Sequence, residues 1–344
     1  MMTNWREFFM KKLNILFKPE DVEMGAKEFL STYASYCTEI GLVGKRPNGY
    51  TIYQSRTAPV EEQYTGFFEE WISLTDALDI KTVVSMDYYT DGWFAKDPKY
   101  QTMTPKGKTM EHQICPNREE YWQYGAEIVK ELGSYPIDEI LVFGSGFIRE
   151  KFCFCDRCRN DFAPLVGQEP DRLTFEYIIE NDDYRKIWHE WRQGKVIEGL
   201  GYLKEAAKDV DTQMGREEPL KITAEVLLDA ETGFSEGAKA EYGYDYQRIN
   251  NTTGSIAINL YPWSPLLPSK GSKEYDELIE SLYFTNEFKR RGGTVSLFRW
   301  GISTIDQFDE LAALGKEAGV TRFISTFSYP TDYSIRREAA IGNY

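Results

Sequence analysis

The feature that most constrains this chain is an alternation. Short runs rich in β-branched and aromatic residues recur along it, each followed by a segment with helical periodicity. The runs are Lys12–Pro19, Tyr50–Arg56, Lys81–Tyr89, Asp138–Ser145, Lys221–Asp229, Ser255–Trp263, Gly293–Gly301 and Arg322–Pro330. Strands separated by helical crossovers must lie parallel, and eight of them in 344 residues predict a single (β/α)8 barrel over residues 1–344. An open doubly wound sheet is the rival arrangement.

The helical segments carry the stronger local signals. Val60, Tyr64, Phe67, Trp71, Leu74 and Leu78 form one apolar stripe at three- to four-residue spacing. Asn117 with Glu120, and Thr304 with Gln307, have the spacing of a capping box, in which a short polar side chain and a longer one satisfy each other's backbone N–H groups. A longer helix is expected from about Asp182 to Val210. Helix-to-strand links are short, whereas Tyr89–Pro116 and Gly146–Asn181 are long. In a barrel the long loops follow the strands, so the working site belongs at that mouth.

Charge narrows the partners. With 55 acidic against 40 basic residues the net charge is −15, so no basic field draws in nucleic acid or an anionic membrane. No apolar run approaches the roughly 20 residues that span a bilayer. Trp5–Phe17 is too charged for a secretory signal, and the odd cysteine count suits a reducing compartment; a cytoplasmic location is expected. The sequence leaves homo-oligomerisation open.

The sharpest motif is Cys153-Phe-Cys155-Asp-Arg-Cys158. Three closely spaced thiolates grip one face of a borderline metal, and a fourth ligand completes a tetrahedron. Cys115, at the end of the preceding long loop, is the candidate, and zinc in a structural role is the expected cofactor. The alternatives are four reduced cysteines or a redox pair at Cys155 and Cys158. Cys37 reads as an ordinary buried thiol.

Together, Cys115-Pro-Asn-Arg-Glu-Glu-Tyr-Trp, Asp138-Glu-Ile-Leu-Val-Phe and Cys153-Phe-Cys-Asp-Arg-Cys-Arg-Asn-Asp-Phe resemble glycosidase-type barrels, among them the glycoside hydrolase family 42 β-galactosidases. The resemblance is best over about residues 81–165. It implies a zinc ion held near the active-site mouth by Cys115, Cys153, Cys155 and Cys158. It also implies catalytic glutamates ending strands four and seven. The chain departs there: those ends read Val142-Phe143-Gly144-Ser145-Gly146 and Phe298-Arg299-Trp300-Gly301, without a carboxylate.

Glycoside hydrolysis needs two carboxyl groups flanking the anomeric carbon. Strand alternation puts Ser85, Asp87 and Tyr89 on one face, and Thr223, Glu225, Leu227 and Asp229 on another. Asp87 and Glu225 are acids in otherwise apolar strands, where burial costs several kcal/mol unless they are paired. Glu225 is therefore expected as general acid and Asp87 as base or nucleophile, against the alternative of structural ion pairs. Tyr89, Trp93, Asn259, Tyr261, Arg299 and Trp300 are the expected sugar contacts, rings for a pyranose face and polar groups for its hydroxyls. The reading is a carbohydrate-active enzyme on a small-molecule sugar substrate. The alternative is a sugar-binding or scaffolding barrel that has lost catalysis. Two histidines, His112 and His189, are too few for a histidine-rich catalytic zinc.

Overall fold

A computed structural model of the chain describes residues 13–228, 236–260, 267–302 and 304–326. Eight parallel strands close on themselves: β1 (Leu13–Phe17), β2 (Glu39–Lys45), β3 (Lys81–Asp87), β4 (Glu139–Phe143), β5 (Lys221–Leu227), β6 (Gly254–Asn259), β7 (Val295–Arg299) and β8 (Phe323–Thr326). Each strand pairs with the next, and β8 returns to β1 with Phe323 opposite Leu13. Helices Ala26–Tyr33, Glu62–Ala77, Glu119–Gly133, Asp182–Met214, Tyr246–Thr253, Lys273–Arg290 and Ile305–Glu317 follow β1 to β7 in turn. The chain is a (β/α)8 barrel.

One parity of each strand faces the helices and the other faces the axis. Leu16, Val83, Leu141, Phe143, Ala257, Phe298, Trp300 and Ile324 form the inner cluster. At the end where the strands begin, the interior is polar. Arg322 donates to Glu39 (2.6 Å), to both oxygens of Glu139 (3.1 and 2.9 Å) and to Ser296 (3.1 Å). Asn14 adds a further hydrogen bond to Glu39.

The second strand is not where the sequence placed it. Tyr50–Arg56 is a loop, and β2 is Glu39–Lys45. Two glycines interrupt the β-like composition of the true strand because its neighbours come too close for a side chain. A Cβ on Gly41 would stand 2.2 Å from Leu16 Cδ2, and one on Gly44 would stand 2.5 Å from Val84 Cγ1. The misread loop is held instead by Glu131, whose carboxylate accepts from Ser55 Oγ (2.6 Å), Thr57 Oγ1 (2.8 Å) and the Arg56 N–H (2.8 Å). Glu131→Ala strands those donors. We expect it to cost about 2 kcal/mol, because hydrogen bonds to a charged group are stronger than neutral ones but water can replace part of them here. A urea midpoint unchanged from the parent would contradict this.

Caps follow the sequence with one correction. Thr304 and Gln307 form the expected capping box, and Asn181 caps Asp182–Met214. The helix after β3 begins at Glu119 behind Arg118, not at Asn117, whose side chain is engaged elsewhere. The two long loops are built rather than open. The one after β3 carries an antiparallel hairpin, Gln101–Met103 with Thr109–Ile114, and the one after β4 carries the short helices Asp156–Phe162 and Phe175–Ile179. Among the described residues, no helix is long and apolar enough to cross a membrane.

Candidate functional site

Cys115 leaves the hairpin of the β3 loop, while Cys153, Cys155 and Cys158 lie in the β4 loop, the last within helix Asp156–Phe162. All four are buried, and their sulphurs lie within 4.8 Å of one another. Cys115 Sγ is 3.4 Å from Cys158 Sγ and 3.8 Å from Cys155 Sγ. A tetrahedral ion with metal–sulphur bonds of about 2.3 Å requires sulphurs about 3.8 Å apart, so the cluster fits one.

Outer donors fit as well. The Met103 N–H donates to Cys153 Sγ (3.2 Å), while Asn117 Nδ2 and Arg118 Nη2 each approach a sulphur at 3.9 Å, on Cys158 and Cys155. Burial works against the Arg118 charge, yet the four cysteines outweigh it and raise its pKa. N–H groups aimed at sulphur support the thiolate form that a metal binds. Cys37 stands apart, its thiol donating to the Tyr33 carbonyl (3.3 Å) and pushed up to about 12 by burial.

At the mouth, the register sets Asp87 and Glu225 in one inward-facing row. Asp87 pairs with Phe143, and Val142 pairs with Ala224, which brings Phe143 beside Glu225. The Phe143 ring therefore stands between the two acids, backed by Trp300 (centroids 4.8 Å) and Phe298 (5.1 Å). Asp87 is 5% exposed and Glu225 is fully enclosed. Glu225 Oε2 accepts from the Gly144 N–H (2.8 Å), and Oε1 accepts from Asn259 Nδ2. Beside this row lies a small cleft of about 30 Å³, lined by Thr90, Gln113, Gly144, Phe147, Leu227 and Tyr244 among others. Gly146 has to be glycine, since a Cβ there would meet the Tyr244 ring at 2.4 Å.

The other expected contacts divide. Asn259 and Trp300 face the axis with the acids, whereas Tyr89 and Arg299 do not. The Tyr89 hydroxyl accepts from Trp122 Nε1 (3.1 Å) under helix Glu119–Gly133, because β3 ends at Asp87 and strand alternation ends with it. Arg299, adjacent in sequence to inward-facing Phe298 and Trp300, turns outward to Glu310 (2.8 Å). Trp93 is half-buried in the β3 loop, stacked on Tyr124 at 6.1 Å. Tyr261, with Asp229 and Trp263, lies outside the described residues. His189 bonds Glu150 (2.6 Å), and His112 is not part of the cysteine cluster.

Two groups at the mouth escaped the sequence reading. Lys45 ends β2 in a fully buried pair with Asp91 (2.9 Å) and also donates to the Asp87 carbonyl (2.9 Å). Arg192, buried in the long helix, donates to the carbonyls of Arg149 (2.6 Å), Glu241 (2.9 Å) and Ala240, and lies 4.4 Å over the Phe147 ring. Burial lowers its pKa to about 10. It ties the β4 loop to helix Glu236–Tyr242 after β5. A polar residue on a long helix gives no sequence sign of such a role.

No protein-family model and no curated protein matches the sequence. Solved structures do match its fold. The PgaB (BpsB) glycoside hydrolase domain from Bordetella bronchiseptica aligns with a TM-score of 0.69 and 10% identity, over 96% of this chain and 97% of that one. The catalytic domain of β-amylase from Paenibacillus polymyxa aligns at 0.61 and 12%, over 95% and 97%. A β-galactosidase from the psychrophilic Marinomonas ef1 aligns at 0.59 and 11%, over 96% of this chain but 59% of that enzyme. At such identities the likeness is one of fold.

Proposed function

We propose that this chain is a carbohydrate-active enzyme that cleaves a glycosidic bond at the barrel mouth, with Asp87 and Glu225 as its two carboxyl groups. The observation that carries this is their placement in one inward row on either side of Phe143. Apolar rings exclude water from both acids and offer a flat face to a pyranose. Glu225, accepting at both oxygens, suits the ionised role of base or nucleophile, and Asp87 then protonates the leaving oxygen. This reverses the order expected from the sequence. Asn259, Trp300 and Trp93 are the sugar contacts that remain in this reading; Tyr89 and Arg299 leave it.

The metal in this reading is zinc, close to one per chain. Four protein ligands leave it no open position, so its part is structural. Cys115 and the Cys153–Cys158 run hold it and so join the β3 and β4 loops. Four thiols stay reduced most readily inside the cell, which favours the cytoplasm.

A panel of aryl glycosides tests the reaction. Turnover by the parent should fall about a thousandfold in Asp87→Asn and in Glu225→Gln, the scale of losing a positioned acid or base. Retained turnover in both variants would reject this pair. Sugar binding without turnover by the parent would favour the barrel that has lost catalysis, a reading supported by the missing carboxylates after Phe143 and Phe298.

A further inference from the structure

Asn259 is fully buried at the mouth end of β6, on the same inward face as Ala257 and Glu225. Its register neighbour Leu227 lines the cleft. Its amide is half satisfied. Nδ2 donates to Glu225 Oε1, while Oδ1 is buried with no hydrogen-bond partner. An ionised Glu225 only accepts; in that form, with the Gly144 N–H on Oε2, it takes the Asn259 Nδ2 donor on Oε1 and leaves the amide carbonyl facing away.

We infer that Asn259 Oδ1 is the specificity-determining acceptor of the mouth, reading one O–H or N–H donor on a pyranose, and that Glu225 is the positioning residue that sets its polarity. The inference rests on the carbohydrate reading above and refines it. A buried carbonyl without a donor carries a desolvation penalty that a matching ligand removes and a ligand lacking the donor does not. Discrimination therefore falls on one position of the sugar ring.

The consequence can be inverted chemically. In Glu225→Gln the new side chain must still accept the Gly144 N–H, so its NH2 turns toward Asn259. The Asn259 amide then flips to accept from it and presents Nδ2–H2 to the ligand. An acceptor-reading site becomes a donor-reading one.

The test uses binding, not turnover. Methyl β-galactoside, methyl β-glucoside and methyl N-acetyl-β-glucosaminide, each with its monodeoxy and monodeoxyfluoro congeners, are titrated against the parent, Glu225→Gln and Asn259→Leu. In the parent, one ring position should lose about tenfold or more in affinity for the deoxy and the fluoro congener alike, since neither can donate. In Glu225→Gln the fluoro congener should recover while the deoxy one stays weak. In Asn259→Leu the penalty should vanish. A parent that binds a sugar but shows no donor-dependent position overturns this inference alone, as does Glu225→Gln with the parent's ranking. A parent that binds none of the sugars overturns the carbohydrate reading as well. Should Asn259→Leu fail to fold, the parent and the near-isosteric Glu225→Gln decide the matter.

Discussion

If zinc fills the four-cysteine site as proposed, Cys155→Ser is expected to abolish its binding and to lower thermal stability by roughly 10 °C, the scale of several kcal/mol in a chain of this size. Four buried thiols crowd one enclosed volume. Their spacing fits one tetrahedral ion, which would take all four as thiolates and offset the repulsion among them. Serine, a harder and less acidic ligand, does not replace one of them. The damage should appear first where the ligands sit. Limited proteolysis should cut near the Gln101–Ile114 hairpin and near Cys153–Cys158 before it reaches the strands. Elemental analysis finding no metal in the parent, or a variant melting with the parent, would remove the centre from the account.

Arg322→Ala should be the costliest change at the opposite end of the barrel, at about 3 kcal/mol. Removing the central partner of a part-buried ionic cluster leaves Glu139, its most enclosed member, facing Lys221 at 3.7 Å. Arg322 serves Glu39 and Glu139 together, and Glu139 is only 3% exposed. Those two carboxylates enter the barrel beside each other and repel once the guanidinium is gone. The triple variant Arg322→Met, Glu39→Gln, Glu139→Gln should recover most of the loss, since no unpaired charge remains. Urea midpoints for the single and triple variants check both statements. Equal destabilisation in the two would mean that packing, and not charge, is what Arg322 supplies.

Much of this architecture was legible in the sequence because periodicity reports burial directly. Lys81–Tyr89 and Lys221–Asp229 read as strands, which the structure forms over Lys81–Asp87 and Lys221–Leu227, and the cysteine spacing pointed to four sulphurs that do meet. What stayed hidden has physical causes. β2 was masked by Gly41 and Gly44, which are dictated by the neighbours' side chains and not by the strand itself. Tyr50–Arg56 has strand-like composition but takes its shape from Glu131, which is distant in sequence. Tyr89 was placed beside Asp87 by alternation, a rule that lapses where the ladder stops. Arg299 and Trp300 cannot both reach the mouth, because neighbours in a strand face opposite ways, and it is Trp300 that faces the axis. The Glu225–Asn259 contact joins residues that look unrelated until the register is known.

The ionic cluster around Arg322 closes the barrel below the inner apolar layer. A ligand of the mouth would therefore come and go on the side of the long β3 and β4 loops, so that whatever fastens those two loops together also sets the width of its entrance.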